Sequence, residues 1–141
     1  MFLLDTNVVS ELRKVGKSHP RVRRWFAARD VDQLFLSVIA VEELDIGIRR
    51  LERRDAAQGL VLRRWFDERV LKTFADRVLP ITLATVRISS ALHVPDPAPI
   101  RDALIAATAL EHGLTVVTRN VDDFARTGVA VVDPWNTVRT L

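Results

Sequence analysis

Four separate segments of the chain place a carboxylate or a carboxamide beside apolar residues, at Asp5, Glu43, Asp102 and Asn120. Asp5 directly follows Phe2–Leu4, whose apolar side chains predict a buried strand. A buried charge without a partner is costly, so we expect Asp5 to have one. Neighbouring carboxylates repel one another and cannot all stay ionised without a cation. Oxygen donors without any cysteine suit a hard divalent ion, Mg²⁺ or Mn²⁺.

Such an ion would supply two kinds of chemistry. Magnesium held by few carboxylates keeps several of its water molecules, and one of them could become a nucleophile. The positive charge would also offset negative charge that develops on a phosphoryl oxygen. This chemistry favours the interpretation of Asp5 as a metal ligand.

The segment 38–54 predicts the helix that would carry Glu43. Its apolar residues form one stripe along the helix: Val41, Leu44, Ile48 and Leu51. At about 100° per residue, Glu42 falls opposite this stripe and should face water. Glu43 falls at the edge of the stripe, beside the small residues Ala40 and Gly47, which would leave room for close approach. Glu43 is therefore the better candidate for a site, although an ordinary boundary glutamate fits the pattern too.

Asp102 stands in the first turn of the helix predicted over 100–112, which Pro99 can start and Gly113 can end. The other residues of its face are apolar: Ile105, Ala106 and Ala109. An aspartate at this position often only complements the helix dipole. Its apolar neighbours favour the alternative, a carboxylate that points into a site.

A third polar group follows the predicted strand at 115–118. It comprises Asn120, Asp122 and Asp123, in a turn that leads to Phe124. Polar turns after strands are common, so this group alone indicates little. Its position at a strand end makes it a candidate partner of Asp5.

Short apolar strands alternate with helical patterns along the chain. Strands are predicted at Phe2–Leu4, 33–36, 115–118 and 130–132, with a weaker one at 78–80. Helices are predicted at about 6–14, 20–29, 38–54, 55–75, 82–91 and 100–112. This alternation is typical of βαβ units in an α/β protein with a mostly parallel sheet, whose site lies beyond the carboxyl ends of the strands.

The composition predicts one domain over 1–141, since 48% of the 141 residues are hydrophobic and can build a single core. No apolar run is long enough to cross a bilayer and no leader peptide is visible, so we expect a cytoplasmic protein without a membrane partner. The absence of cysteine excludes disulfides and thiolate metal sites. Arginines cluster within 21–29, 49–54 and 63–69, where they could hold phosphates or only solvate helix faces.

Other phosphate chemistries fit these residues less well. A receiver domain would need a lysine where this chain has Arg119, and an acceptor aspartate after a middle strand. A dehalogenase-like phosphatase would need an Asp-x-Asp motif, but Asn7 takes the place of the second aspartate. The three histidines suggest no Ser-His-Asp arrangement, and the five glycines form no phosphate-binding loop.

The acidic segments together resemble those of the PIN-domain ribonucleases, in particular the VapC toxins of bacterial toxin–antitoxin pairs and the related FitB group. The matching segments are LLDTNVVSEL, LSVIAVEELDIGI, DALIAATALEHGLTVVTRN with the DDF that follows, and VVDPW. They span nearly the whole chain, in order and with family-like spacing.

This resemblance implies a PIN-like α/β/α sandwich with a central, mostly parallel sheet and an acidic metal centre. Asp5 and Asp102 correspond to the metal ligands, and Thr6 and Asn7 would support the geometry of Asp5. Glu43 corresponds to the family glutamate because a leucine follows it directly.

The fourth acidic position of the family, often an aspartate, is Asn120 in this chain. Asn120 could still bind or orient a metal-bound water. Whether one or two metals bind, and whether Asp122 or Asp123 supplies the missing charge, stays open at this point.

The resemblance further implies a magnesium-dependent endoribonuclease, with Mn²⁺ as a substitute ion, that leaves a 5′-phosphate and a 3′-hydroxyl. The implied partners are an RNA substrate (tRNA or rRNA), a cognate VapB-type antitoxin and a second copy of the chain. Apolar residues within 38–75 are candidates for the antitoxin surface or for the core: Leu60, Leu62, Trp65 and Phe66. The alternative is a degenerate PIN module that binds RNA or a protein without cleaving, and Asn120 is the residue that favours it.

Overall fold

Five parallel strands form a central sheet in the computed structural model, which describes residues 1–14 and 16–136. The strands are β1 (Phe2–Leu4), β2 (Leu34–Ser37), β3 (Val78–Leu79), β4 (Thr115–Val117) and β5 (Val131–Val132). Their order is β3-β2-β1-β4-β5, and each neighbouring pair runs parallel. The predicted α/β fold with a parallel sheet is confirmed. The predicted single domain over 1–141 includes residue 15 and residues 137–141, which lie outside the described residues.

Helices connect the strands on both sides of the sheet. They are α1 (Thr6–Leu12), α2 (Pro20–Ala27), α3 (Val38–Arg54), α4 (Ala56–Trp65), α5 (Leu71–Thr73), α6 (Leu83–Leu92), α7 (Ile100–His112) and α8 (Val121–Phe124). Short 3₁₀ turns lie at Val31–Gln33 and Ala125–Thr127. No helix in the described ranges is both long and apolar enough to cross a membrane.

Strand β1 separates two apolar layers. Leu3 packs into one cluster with Ile105, Val116 and Phe124, whereas Leu4 packs into the other with Val8 and Leu34. Successive side chains of a strand point to opposite faces, so a strand of three residues contributes to both cores. The result is a sandwich in which β1 is the central strand and its carboxyl end is covered by helices.

The prediction of one continuous helix over 55–75 was wrong, because a π turn at Phe66–Val70 separates α4 from α5. Phe66, Val70 and Phe74 are all buried and are spaced four residues apart. A spacing of four residues places side chains on one face of a helix, so all three lie in the core although the π turn interrupts the helix.

Helices α3 and α4 pack together with little space between their backbones. A Cβ added to Gly59 would lie 2.7 Å from the Cα of Glu52, so only glycine fits there. Arg63 of α4 joins the two helices through ion pairs of 2.6 Å to Asp45 and 2.8 Å to Glu52. Gly47, which was predicted to leave room beside Glu43, has no atom within 4 Å of an added Cβ, so the space at this position is open.

Candidate active site

Asp5 begins the site at the carboxyl end of β1, where its backbone N–H donates to the carbonyl of Val117 on β4. Its side chain is 6% exposed and accepts three hydrogen bonds. Oδ1 accepts from the backbone N–H of Thr6 at 2.8 Å, and Oδ2 accepts from Thr118 Oγ1 at 2.8 Å and from Asn7 Nδ2 at 3.3 Å. Burial raises the pKa of Asp5 above its ordinary value, against the effect of these hydrogen bonds.

A network of hydrogen bonds fixes Asp5 from the neighbouring strand. Thr118 is fully buried, and its Oγ1 also accepts from Asn7 Nδ2 at 3.2 Å and from the backbone N–H of Asn120 at 3.0 Å. Asn7 Oδ1 accepts from the backbone N–H of Arg119 at 3.2 Å. The ends of β1 and β4 are thus tied together around the carboxylate. Sequence reasoning missed Thr118, although a buried threonine at the end of a strand was a signal for it.

Glu43 approaches from the first turns of α3, and Ser37 caps this helix by accepting from the N–H of Ile39. Thr6 Oγ1 donates to Glu43 Oε1 at 3.1 Å, so Thr6 contacts both Asp5 and Glu43. Burial, together with the negative charge of Asp5, raises the pKa of the half-buried Glu43.

Glu42, the preceding residue, is exposed and lies 3.7 Å from Arg101. The two adjacent glutamates therefore face different surroundings, as the helix periodicity predicts. Glu43 faces the carboxylate at the end of β1, and Glu42 faces solvent.

Asp102 lies in the first turn of α7, which Pro99 precedes. Its pKa is raised to about 6 by burial and by the negative charges of Asp5, Asp123 and Glu43. A carboxylate that only complements a helix dipole would be stabilised in its charged form, which lowers the pKa. The raised pKa instead indicates that Asp102 faces other carboxylates.

The turn after β4 contributes Asp123. Its charge is among the causes that raise the pKa of both Asp5 and Asp102, so Asp123 lies close enough to act on the site. Asn120 is exposed, and its side chain lines a cleft of about 670 Å³ that also includes Asp122 and Asp123.

The donors of this site are carboxylate, carboxamide and hydroxyl oxygens, which suit a hard cation. Within residues 1–14 and 16–136, no three His, Cys, Asp or Glu side chains are close enough to hold a metal ion by themselves. A magnesium ion usually binds through one or two carboxylates and keeps several waters. Asp5 and Asp102 would be its carboxylate ligands.

A parallel sheet with acidic side chains beyond the carboxyl end of its central strand is what a PIN domain presents. Residues 2–130 match the PIN-domain family, and the chain belongs to that family. Among its relatives, Toxin FitB of Neisseria gonorrhoeae is 35% identical over 142 residues, which cover 96% of this chain and 99% of that protein. The VapC ribonuclease Y4jK of Sinorhizobium fredii is 33% identical over 140 residues, which cover 96% of this chain and 98% of that protein.

Solved structures share the fold over the same length. The crystal structure of FitAcB from Neisseria gonorrhoeae matches with a TM-score of 0.89 and 33% identity, over 97% of this chain and 100% of that one. A toxin–antitoxin complex from Klebsiella pneumoniae matches with a TM-score of 0.70 and 28% identity, over 97% of this chain and 100% of that one.

Proposed function

We propose that this protein is the toxin of a VapBC-type toxin–antitoxin pair and an endoribonuclease that uses Mg²⁺, or Mn²⁺ in its place, to hydrolyse RNA. Its full-length relatives carry the names of a toxin and of a ribonuclease. The observation that carries the chemical part is that the pKa of Asp102 is raised by burial and by the charges of Asp5, Asp123 and Glu43, which come from three other segments. A cation would let Asp5, Glu43 and Asp102 stay ionised together.

The chain's own residues have distinct roles in this proposal. Asp5 and Asp102 would hold the ion, and the bound ion would offset charge that develops on the phosphate. Thr6, Asn7 and Thr118 orient Asp5. Glu43 Oε1 accepts a hydrogen bond from Thr6 Oγ1, so Oε2 is the atom that would take the proton from the attacking water.

In the reaction the water oxygen bonds to phosphorus and the bond from phosphorus to the 3′ oxygen breaks. The products are a 5′-phosphate and a 3′-hydroxyl, and the leaving oxygen takes up a proton. Asn120 would orient the water or a phosphate oxygen through its carboxamide. Arginines around the acidic site would contact neighbouring phosphates, so binding should weaken as salt is added.

The test is cleavage of total tRNA and rRNA by the purified protein in Mg²⁺, in Mn²⁺ and in EDTA, with the new RNA ends sequenced. Asp102→Asn is the inactive comparison, because it keeps the shape of the side chain and removes the charge. Cleavage that needs the ion and Asp102 supports the nuclease. Cleavage that is equal in Asp102→Asn would come from a contaminant and would contradict the proposal.

A second candidate function is a non-cleaving PIN module that binds RNA or a protein. The observation that favours it is Asn120, a neutral side chain at a position where the family often has an aspartate. RNA binding without any cleavage in Mg²⁺ or Mn²⁺ would support this module instead of the nuclease.

The antitoxin would bind an apolar groove between α1, α2 and α4. Two adjoining clefts of about 430 Å³ and 350 Å³ share Leu12, Trp65 and Arg69. Apolar side chains and arginines line this groove: Val9, Phe26, Val61, Leu62, Arg13, Arg23 and Arg64. A segment with apolar anchors and acidic residues would complement it. Of the residues predicted for this surface, Leu62 and Trp65 line the groove, whereas Phe66 is 3% exposed and belongs to the core.

We also infer a homodimer and a cytoplasmic location for this protein, as expected for a toxin that cleaves cellular RNA. Light scattering of the free toxin measures the first, and a mass of one chain at micromolar concentration would contradict it. Fractionation of cells that express the toxin together with its antitoxin measures the second.

A further inference from the structure

Arg119 is the first exposed residue after β4, and two contacts fix it beside the acidic site. Its backbone N–H donates to Asn7 Oδ1 at 3.2 Å. Its guanidinium carbon lies 5.4 Å from the centre of the Trp135 ring. Among the described residues this guanidinium takes part in no salt bridge. The structure therefore presents an ordered cation whose N–H groups are available to an anion from outside the protein.

Trp135, whose ring contacts Arg119, is itself held in place by its backbone. The carbonyl of Trp135 accepts from Arg21 Nη1 at 3.2 Å, and the N–H of Trp135 donates to Asp133 Oδ1 at 2.9 Å. The ring packs against the core in a partly buried position. Stacking on an aromatic face leaves the edge of a guanidinium free, and that edge matches the oxygens of a phosphate.

Arg119 lines a polar cleft beside the acidic site. The cleft of about 670 Å³ also includes Asn120 and three aspartates: Asp122, Asp123 and Asp133. Asn7 connects Arg119 with Asp5, because Asn7 Oδ1 accepts from the backbone N–H of Arg119 at 3.2 Å and Asn7 Nδ2 donates to Asp5 Oδ2 at 3.3 Å. A polyanion entering this cleft would meet repulsion from the carboxylates, and Arg119 is the positive charge along that wall that can offset it.

We propose that Arg119 binds an RNA phosphate next to the one that is cleaved and thereby positions the strand over Asp5 and Asp102. This inference rests on the proposed function, since it concerns the same substrate. The competing explanation is structural: Arg119 would only stack on Trp135 and hold the segment after β5. The two explanations differ in what happens to RNA affinity and to its dependence on salt.

The experiment measures binding of a labelled single-stranded RNA of about 12 nucleotides by fluorescence anisotropy over a range of salt concentrations. All proteins carry Asp102→Asn, so the RNA stays intact. Arg119→Ala and Arg119→Lys are compared with Arg87→Ala, which removes an equal charge from an exposed position of α6 outside the three arginine clusters. Thermal melting of each variant shows that it is folded.

We expect Arg119→Ala to weaken binding about tenfold at low salt, the effect of losing one charge-assisted hydrogen-bonded contact. The slope of log affinity against log salt should fall by about 0.7, the value for one phosphate contact in a single strand. Arg119→Lys should keep most of the slope, and Arg87→Ala should change neither quantity. If Arg119→Ala lowers only the melting temperature and leaves both the affinity and the slope unchanged, the assignment is overturned. Arg119 would then have a structural role or contact the antitoxin.

Cleavage by the proteins that retain Asp102 separates this inference from the proposed function. In the active protein, Arg119→Ala should raise KM by about tenfold and change kcat less. RNA binding that depends on Arg119 in a protein that never cleaves would refute the nuclease and support the phosphate contact. Cleavage with a KM that is unchanged in Arg119→Ala would support the nuclease and refute the phosphate contact.

Discussion

Thr118 Oγ1 donates a hydrogen bond of 2.8 Å to Asp5 Oδ2, across 113 residues of sequence. The two residues follow adjacent parallel strands, and the bond is buried. Thr118 Oγ1 also accepts from Asn7 and Asn120, so one hydroxyl connects three residues of the candidate site. The orientation of Asp5 therefore depends on a residue that carries no charge.

Thr118→Val should reduce both stability and activity, because it keeps the shape of the side chain and removes its hydrogen bonds. We expect a loss of about 1–3 kcal/mol in the free energy of unfolding and about 10–100-fold in cleavage rate. Urea unfolding and initial rates in Mg²⁺ measure the two effects. Thr108→Val is the matched control, since the buried Thr108 only donates to Leu104 of its own helix. A rate that falls equally in both variants would argue against a special role of Thr118.

Glu43→Gln should lower kcat about 100-fold or more, because the variant keeps the hydrogen bond from Thr6 and loses the ability to take a proton. Glu42→Gln removes the same charge one residue away and breaks only a surface contact with Arg101 at 3.7 Å. Such contacts contribute about 0–1 kcal/mol, so its rate should stay within about twofold of the parent. If Glu43→Gln cleaved as fast as Glu42→Gln, another group would be the base.

Asp102 should stabilise the metal-free protein less as the pH rises from about 4 to about 6, whereas Glu11 and Asp45, whose pKa values are lowered, act in the opposite direction near pH 4. Burial and neighbouring charges raise the pKa of Asp102 to about 6 in the folded state, above the value of about 3.9 for an unfolded aspartate. The folded state therefore holds this proton more tightly, and its contribution to stability is complete below the unfolded pKa and is lost as the pH passes the folded one. Asp5 and Glu43, whose pKa values are also raised, act in the same direction.

Melting temperatures in EDTA, measured from about pH 4 to about pH 7.5, check this dependence. Asp102→Asn should flatten the curve, and Mg²⁺ should stabilise the parent more at the upper end of the range than at the lower end. A melting temperature of Asp102→Asn that changes with pH in the same way as that of the parent would contradict this contribution of Asp102.

Asp123→Asn should weaken the effect of magnesium, because it removes a negative charge that acts on Asp5 and Asp102. We expect the half-saturating Mg²⁺ concentration to rise about tenfold and the pH at which activity appears to fall. Titration of the cleavage rate with Mg²⁺ measures the first effect, and a pH profile measures the second. Asp122→Asn is the control and should leave both quantities unchanged. Equal effects of the two variants would mean that both aspartates face the site.

Gly59→Ala should destabilise the protein by about 1–3 kcal/mol, because the new Cβ would lie 2.7 Å from the backbone of Glu52. Gly47→Ala places the same methyl group in open space on the neighbouring helix and should stabilise it by about 0.5–1 kcal/mol. Urea unfolding of the two variants measures both changes. Destabilisation by Gly47→Ala would contradict the free space observed at that position.

The strands, most helices and the orientation of Glu43 follow from local periodicity, which is why the sequence predicts them. An apolar run of three residues and a stripe at helical spacing need no knowledge of the rest of the chain. The distinction between Glu42 and Glu43 depends only on 100° per residue and is visible for the same reason.

Other parts of the site depend on which strands are neighbours. Thr118 can donate to Asp5 only because β4 lies next to β1. No local sequence pattern predicts this order of the strands. Asp122 and Asp123 lie in a helix of only four residues. A helix this short shows no periodicity from which the sequence could predict which aspartate lies nearer the site. Gly47 and Gly59 have similar surroundings in the sequence, and only the packing of α4 on α3 tells them apart.

The sheet order has a consequence for the synthesis of this toxin. Strand β1 leaves the ribosome long before its partner β4, which comprises Thr115–Val117 and pairs with it in register from Phe2 to Leu4. A nascent chain therefore holds Asp5 long before it holds Thr118, the third residue that orients this carboxylate. Most of the polypeptide must be translated before it could cut any RNA, including the message from which it is being read.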